Sequence, residues 1–404
     1  MIEADNSNTK RPSRPCSVCG EEEVEILYTQ RFAVYQSCSL PSSYDLVECK
    51  GCGFVYADTR ATQSDYDKYY REFSKYEDDK TGTGGNGSGL DIKRMNETAE
   101  DIARVVKDER SSILDIGCAN GGVLVSLKYL GYMELTGLDP SPVCVEKVKE
   151  RGVGAILGGL FDVPKSLRSR KFDCVILSHV IEHIRDLSLA MKNIVNLLAK
   201  DGILYIEVPN AEKYCENFIV PYYYFDCEHI NHFDLNSLKY LGLKYGLSFR
   251  KSVNKMIQVS DSSVYPAVGV FFQKKGKGSN YTAMSRAGKS ILGYLRLSEQ
   301  NADNVIINNL FKSKEKIVVW GAGQFTRRLL GDTKLGRCNI VAFIDNDSVK
   351  QGQRIDGVPI IDPSYLKDFT YPILICSALH SQEIFNEIRT WGFKNKVYLM
   401  SNIK

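Results

Sequence analysis

The stretch Ser111-Ser-Ile-Leu-Asp115-Ile-Gly117-Cys118-Ala-Asn120-Gly121-Gly122 decides how the rest of the chain is read. Ile113, Leu114 and Ile116 make a short apolar run of the kind buried on both faces of a parallel sheet, and Val123 to Leu130 has the composition of the helix that follows. An acid at the end of a strand, then glycines at 117, 121 and 122, gives a tight turn. There a ligand can approach backbone N–H groups at a helix N-terminus. The spacing is Asp-x-Gly-x-x-x-Gly and not the Gly-x-Gly-x-x-Gly of dinucleotide-binding turns.

Outward from this turn, strands and helices alternate, which argues for a mostly parallel α/β sheet covered on both faces. Asp91 to Val106 reads as an amphipathic helix leading in. Leu135 to Leu138 is the second strand and ends at Asp139, placed to accept both hydroxyls of a ribose. Phe172 to Leu177 is a further strand, followed by Ser178 and His179. In an open parallel sheet the ligand crevice lies at the carboxyl ends of the strands, so these two residues are expected to line it. Gly202 to Pro209 is the fifth strand, and strands near Gln258 and at Gly269 to Gln273 close the sheet as an antiparallel edge.

Length and composition set the frame. With 404 residues the chain exceeds one ordinary core, so two or three domains are expected. The formal net charge of +3 is small, and no basic block interleaved with aromatics is present, which speaks against a nucleic-acid partner. No apolar run approaches the length of a membrane span, and residues 1–14 are polar. The 12 cysteines do not follow a disulfide framework, so a reducing cytoplasm is the expected location.

Four of those cysteines form two knuckles, Cys16-Ser-Val-Cys19-Gly and Cys49-Lys-Gly-Cys52-Gly. Each two-residue spacing points two thiolates at one ion, and the pair of knuckles reads as a tetrahedral zinc site; redox or merely buried thiols are the alternative. Four thiolates leave no open position, so such a zinc is structural. Residues 1–60 are therefore taken as a zinc module. Residues 61–90, rich in Tyr and Asp and ending in a glycine run, are taken as a flexible linker or lid.

The order of motifs from residue 90 to about 260 resembles class I S-adenosylmethionine (SAM) methyltransferases. That resemblance implies a Rossmann-like domain over residues 91–275 and SAM as cofactor. Its contacts would come from Asp115, Gly117, Cys118, Asn120 and Gly121 in the first motif, Asp139 after the second strand, Phe161 and Asp162 beside the adenine, and Ser178 and His179. Glu182 and His183 read as a helix start packed under the cofactor. A similar Glu-His pair binds a divalent cation in some quinone O-methyltransferases, which carry a further Glu where this chain has His179.

Residues 221–233, Pro-Tyr-Tyr-Tyr224-Phe-Asp-Cys-Glu228-His229-Ile-Asn-His232-Phe, hold two of the five histidines of the chain. This segment resembles the nucleotide-sugar C-methyltransferases that build branched deoxysugars. In that family the matching histidine, here His229, implies a base, supported by Glu228, with Tyr224 or His232 placed to stabilise an enolate. Histidine suits the task because its pKa lies near working pH. Residues 276–404 open with a basic, glycine-containing link and then Lys316-Ile-Val-Val-Trp-Gly321-Ala-Gly323, followed by a strand ending at Asp345. Taken alone this invites a dinucleotide site, but Thr326 stands in place of the third glycine and the unit is short. The three-part order of zinc module, SAM domain and smaller Rossmann-like domain resembles the same sugar C-methyltransferases, where the last domain implies binding of the nucleotide-sugar substrate. The expected activity is C-methylation of a nucleotide-linked 4-keto deoxysugar. An O-methyltransferase acting on a sugar hydroxyl and a non-catalytic scaffold with a vestigial SAM fold are the alternatives.

Overall fold

The computed structural model describes residues 9–72, 89–260, 263–275, 283–302 and 304–400. Strands β1 (Thr9–Lys10), β2 (Val24–Arg31), β3 (Ser43–Cys49) and β4 (Val55–Asp58) form an antiparallel sheet around the two cysteine knuckles. Gly20 and Gly53 close those knuckles at φ +93° and +69°, a conformation that glycine adopts without a Cβ penalty. Helix α1 (Gln63–Glu72) follows, with Tyr66 and Tyr69 buried. The stretch expected to be a flexible linker is thus helical in its first part. Its tyrosines have the spacing of one helix face and a core to pack against. Residues 73–88, with the glycine run, lie outside the described residues.

After α2 (Gly89–Ala103) comes the central sheet: β5 (Ile113–Ile116), α3 (Gly122–Tyr129), β6 (Leu135–Asp139), α4 (Pro142–Glu150), β7 (Gly154–Leu157), α5 (Lys165–Arg168), β8 (Phe172–Ser178), α6 (Leu187–Leu197) and β9 (Leu198–Pro209). The chain then returns through β10 (Asn231–His232) and α7 (Leu235–Lys244) to the hairpin β11 (Leu247–Gln258) and β12 (Val264–Lys274). Strand order is β11-β12-β9-β8-β5-β6-β7, with the β11–β12 and β12–β9 pairs antiparallel and the rest parallel. Strand β5 lies inside the sheet between β8 and β6. All four of its residues are buried, as its uninterrupted apolar run around Asp115 requires.

The C-terminal part begins with α8 (Ala287–Ala302) and α9 (Val305–Ser313). It continues as β13 (Lys316–Trp320), α10 (Gln324–Asp332), β14 (Asn339–Ile344), β15 (Arg354–Ile355), β16 (Val358–Ile361), β17 (Ile373–Ile375), α11 (Ser381–Thr390) and β18 (Val397–Leu399). Its sheet order, β15-β16-β14-β13-β17-β18, is parallel except for the β15–β16 pair. This is a second, smaller Rossmann-like layer.

The three parts share their cores. Strand β10 pairs with β4, so residues 231–232 complete the sheet of the cysteine module. One apolar cluster runs from Cys16, Val18 and Phe54 to Leu238, Leu241 and the helix-facing side of the central sheet. Another joins Phe32 and Tyr35 to Tyr224, Tyr294 and Phe325. Arg14, itself buried, threads the junction, donating to the carbonyls of Arg185, Ala57 and Ile230 and to Asn231 Oδ1. Asn231 in turn donates to the carbonyls of Ile181 and Ile184 at 3.0 and 2.7 Å. These bonds fasten segment 221–233 onto the turn after β8 and fix where its acids and histidines fall.

Candidate active site

The carboxyl ends of β5, β6 and β8 open into a cavity of about 890 Å³. At one end lie Asp115, Gly117, Cys118 and Asp139; along its side lie Phe161, Asp162, Ser178 and His179, all eight placed there by the sequence motifs. Asp139 is held by the turn itself: its Oδ2 accepts from Ala119 N at 2.8 Å and its Oδ1 from Ser141 N at 2.9 Å. Gly117 takes φ +70°, and a Cβ there would meet Val180 Cγ2 at 2.8 Å, so the turn admits only glycine. Burial, and then the neighbouring Asp139 carboxylate, push the Asp115 carboxyl up to about 8. A buried acid on a cavity wall, faced by a second acid, is a receptor for a cationic group. The ammonium of an aminoacyl ligand such as SAM supplies one, so the residues present fit that cofactor.

Asn120 and Gly121 do not line the cavity. Asn120 is buried behind the turn, its carbonyl accepting from Arg151. Gly121, at φ +76°, precedes α3 with Val148 Cγ2 only 2.8 Å from where a Cβ would stand. Its lack of a side chain serves helix packing and not the ligand.

On the cavity wall His179 sits at φ +56°, its backbone N–H bonded to the Glu207 carbonyl. Its Nδ1 is 3.1 Å from Glu182 Oε1 and its Nε2 3.3 Å from Glu207 Oε1. Burial opposes the imidazolium, but hydrogen bonds to Glu182 and Glu207 outweigh it and raise the His179 pKa. Glu207 also receives Lys255 at 2.6 Å and Tyr205 Oη at 2.6 Å, and Lys255 reaches Asp101 of α2 at 3.0 Å. No motif marks Glu207, Tyr205, Lys255 or Asp101 of this network, because they lie on three separate elements.

The segment expected to carry the chemistry divides in two. Glu228 lines the cavity, its Oε1 accepting from Tyr69 Oη at 2.9 Å and Gln324 Nε2 at 2.8 Å. His229 stands one layer back, its ring 4.7 Å from that of His183, which does line the cavity. The acid facing His229 is Asp226, 4.0 Å from Nδ1, and not Glu228. Although burial works against it, the His229 and Arg328 charges lower the Asp226 pKa. His183 Nδ1 lies 3.1 Å from the Glu228 carbonyl, which can only accept, so Nδ1 carries the proton and Nε2 is left as acceptor. One ligand atom each from Glu182, His183 and His229 lies within 4.8 Å of the others, a spacing compatible with one divalent ion.

Tyr224 and His232 are not brought to the cavity. Tyr224 is stacked on Tyr214 at 3.7 Å and donates to the Asn217 carbonyl. His232 is fully buried against Tyr214 and Phe225, and burial followed by the His229 charge lowers its pKa to about 3. The pairing of β10 with β4 turns this side chain into the core. Conversely, Tyr35, Tyr69, Tyr70, Arg94, Gln324 and Lys350 line the cavity, and none of them was singled out as a site residue. Only the clustering of tyrosines before residue 73 gave a signal.

The four knuckle thiols converge as expected. Cys16 and Cys52 Sγ lie 3.7 Å apart, Cys19 and Cys49 Sγ 3.4 Å, and all four fall within 4.8 Å of one another. At a Zn–S distance of about 2.3 Å a tetrahedral site needs sulfurs roughly 3.8 Å apart, so the set fits zinc. Among the described residues no helix is long and apolar enough to cross a membrane.

Residues 90–251 match a family model described as a methyltransferase domain, and residues 313–398 match one described as C2185-like, N-terminal. The (S)-tetrahydroprotoberberine N-methyltransferase of Eschscholzia californica is 27% identical over 135 residues, 30% of this chain and 37% of that protein. The ubiquinone biosynthesis O-methyltransferase of Pelagibacter ubique is 31% identical over 101 residues, 24% of this chain and 42% of that protein. The chain thus spans well under half the length of these relatives. Among solved structures, a Burkholderia thailandensis 1,6-didemethyltoxoflavin-N1-methyltransferase aligns with 56% of this chain and 97% of its own, at 15% identity and a TM-score of 0.42. Residues 90–251 thus carry a methyltransferase domain, the central part of the chain.

Proposed function

We propose that the chain methylates a carbon of a nucleotide-linked 4-keto deoxysugar. The observation that carries this reading is the continuity of the cavity, which runs from Asp115 and Asp139 past His179 and His183 to Glu228 and on to Gln324, Asp347 and Lys350 of the C-terminal layer. A cofactor at the first end leaves an acceptor compartment between two Rossmann turns. That compartment is lined by tyrosines and by groups suited to a hydroxyl-rich ligand. A dinucleotide at the second turn is disfavoured. Tyr35 Oη donates to the Ala322 carbonyl at 2.8 Å, and the Asp345 carboxylate is already taken by Ala322 N, Asp347 N and Lys350.

When bound, SAM supplies an electrophilic methyl on its sulfonium. The chain's own residues must then make a carbon nucleophilic. In this reading the proton next to the ketone leaves to the imidazole pair, with His183 on the wall and His229 behind it, and Asp226 favours the positive charge that results. Alignment of carbon and methyl at near contact, and stabilisation of the enolate, are the remaining tasks. Cys16, Cys19, Cys49 and Cys52 hold a structural zinc in the same proposal.

The test is incubation with a 4-keto nucleotide sugar in deuterated water, with and without SAM. Exchange at C3 and a methyl on that carbon are expected. A methylated hydroxyl without exchange overturns C-methylation in favour of O-methylation. His229→Asn is expected to lower kcat by about 100-fold or more while calorimetric SAM affinity stays within about twofold. Full activity would remove His229 from the mechanism.

A further inference from the structure

The Gly321-Ala-Gly323 turn has no dinucleotide role in the reading above, yet it projects into the methyltransferase cavity. We infer that its purpose is to present Gln324, and that Gln324 and Tyr69 together position the Glu228 carboxylate as a hydrogen-bond acceptor for a hydroxyl of the methyl acceptor. This inference rests on the methyltransferase reading and extends it to the acceptor.

Gln324 is the first residue of α10, directly after the turn. Its Oε1 lies 3.4 Å from Arg327 Nη1, a group that can only donate, which orients the amide with Nε2 toward Glu228. The Nε2–Oε1 distance to Glu228 is 2.8 Å, and Tyr69 Oη delivers a second hydrogen bond to the same oxygen at 2.9 Å. Glu228 N–H is fixed as well, bonded to Asp226 Oδ1 at 2.9 Å. Two donors from two different parts of the chain therefore saturate one carboxylate oxygen. Among the described residues Glu228 Oε2 receives no hydrogen bond, while the residue lines the cavity.

The turn that carries Gln324 is itself braced. Ala322 donates to Asp345 Oδ2 and accepts from Tyr35 Oη, both at 2.8 Å, and Arg327 N–H bonds to the Gly323 carbonyl. An amide on such a seat loses little freedom when it holds Glu228. The ligand class this geometry selects is an acceptor with a hydroxyl in reach of Oε2, because an acceptor lacking it leaves a half-buried carboxylate oxygen unpaired.

Gln324→Leu and Tyr69→Phe, each in the full chain, test the inference with a 4-keto nucleotide sugar as probe. Each is expected to raise KM for the sugar about tenfold, the loss typical of a hydrogen bond to a charged group, with kcat within about threefold and SAM affinity within about twofold. In a Glu228→Gln background Gln324→Leu should add nothing. An unchanged KM overturns the inference, as does a loss that persists undiminished in that background, or one that tracks a fall in SAM affinity. Should the wild-type chain fail to turn over the keto sugar, the substrate reading falls, and melting temperatures of the same double-mutant cycle decide the positioning role. Non-additive shifts support the Gln324–Glu228 link, and additive shifts overturn it.

Discussion

At the scale of single residues, Asp115 and His232 behave in opposite ways. The Asp115 carboxyl, raised to about 8 by burial and by Asp139, binds its proton more tightly folded than unfolded. Its contribution to stability is therefore fully present below the unfolded pKa near 4 and is lost as pH rises through about 8. A ligand ammonium reverses the preference, so SAM binding at pH 7 is expected to release about one proton from Asp115. Calorimetry in buffers of different ionisation enthalpy measures that proton, and Asp115→Asn should abolish its release. His232 has its pKa lowered to about 3, so its stability contribution is present above the unfolded value near 6.5 and is lost as pH falls toward 3. Among the described residues neither ring nitrogen has a hydrogen-bond partner. His232→Leu is accordingly expected to keep methyl transfer and to raise the melting temperature in mild acid, since it replaces a buried unpaired polar ring by an apolar side chain of similar size. Loss of activity with intact folding would return His232 to the chemistry.

At the scale of elements, the clamp on α2 decides how the cavity is walled. The Lys255 side chain of β11 is 8% exposed and bridges Glu207 of β9 and Asp101 of α2, while Thr98 of the same helix adds a hydrogen bond to Glu207. Removing the cation leaves Glu207 with His179 and Asp101 with Arg104 as their remaining counter-charges, so Lys255→Met should cost about 1–3 kcal/mol in urea unfolding. Because α2 also brings Arg94 and Met95 to the cavity, SAM affinity should fall with it. Unchanged stability would mean that His179 and Arg104 suffice as counter-charges. Strands β5, β6, β8 and β9 and helices α2 and α3 were legible beforehand, because each is a local run whose apolar period states its type. Helix α1 was not: a Tyr- and Asp-rich run followed by glycines reads as a loop until Tyr66 and Tyr69 are given a core to enter.

At the scale of the whole molecule, the cysteine module is built into the methyltransferase. Strand β10 extends its sheet, and Cys16, Cys49 and Cys52 share a core cluster with Phe233, Leu238 and the central strands. Extraction of zinc by a strong chelator, or Cys49→Ser, is thus expected to lower the melting temperature of the entire chain and to reduce SAM affinity, not merely to loosen residues 9–60. Native mass spectrometry should find one zinc per chain before treatment and none after; a fully active, zinc-free chain would refute the structural role. The succession of strands and helices along the central domain, the turn at Asp115 to Gly122, the acid at Asp139 and the two cysteine knuckles are legible in the sequence alone, because each is written within a short span whose spacing has a direct geometric meaning. Only the tertiary structure decided that Glu228 answers to Tyr69 and Gln324, 159 and 96 residues away, that His229 faces Asp226 and His183, and that Tyr224 and His232 turn inward. The reason is physical: a side chain's role is set by which face its backbone is given, and the pairing of Asn231 and His232 with Tyr56 and Val55 is a long-range bond that no local pattern encodes.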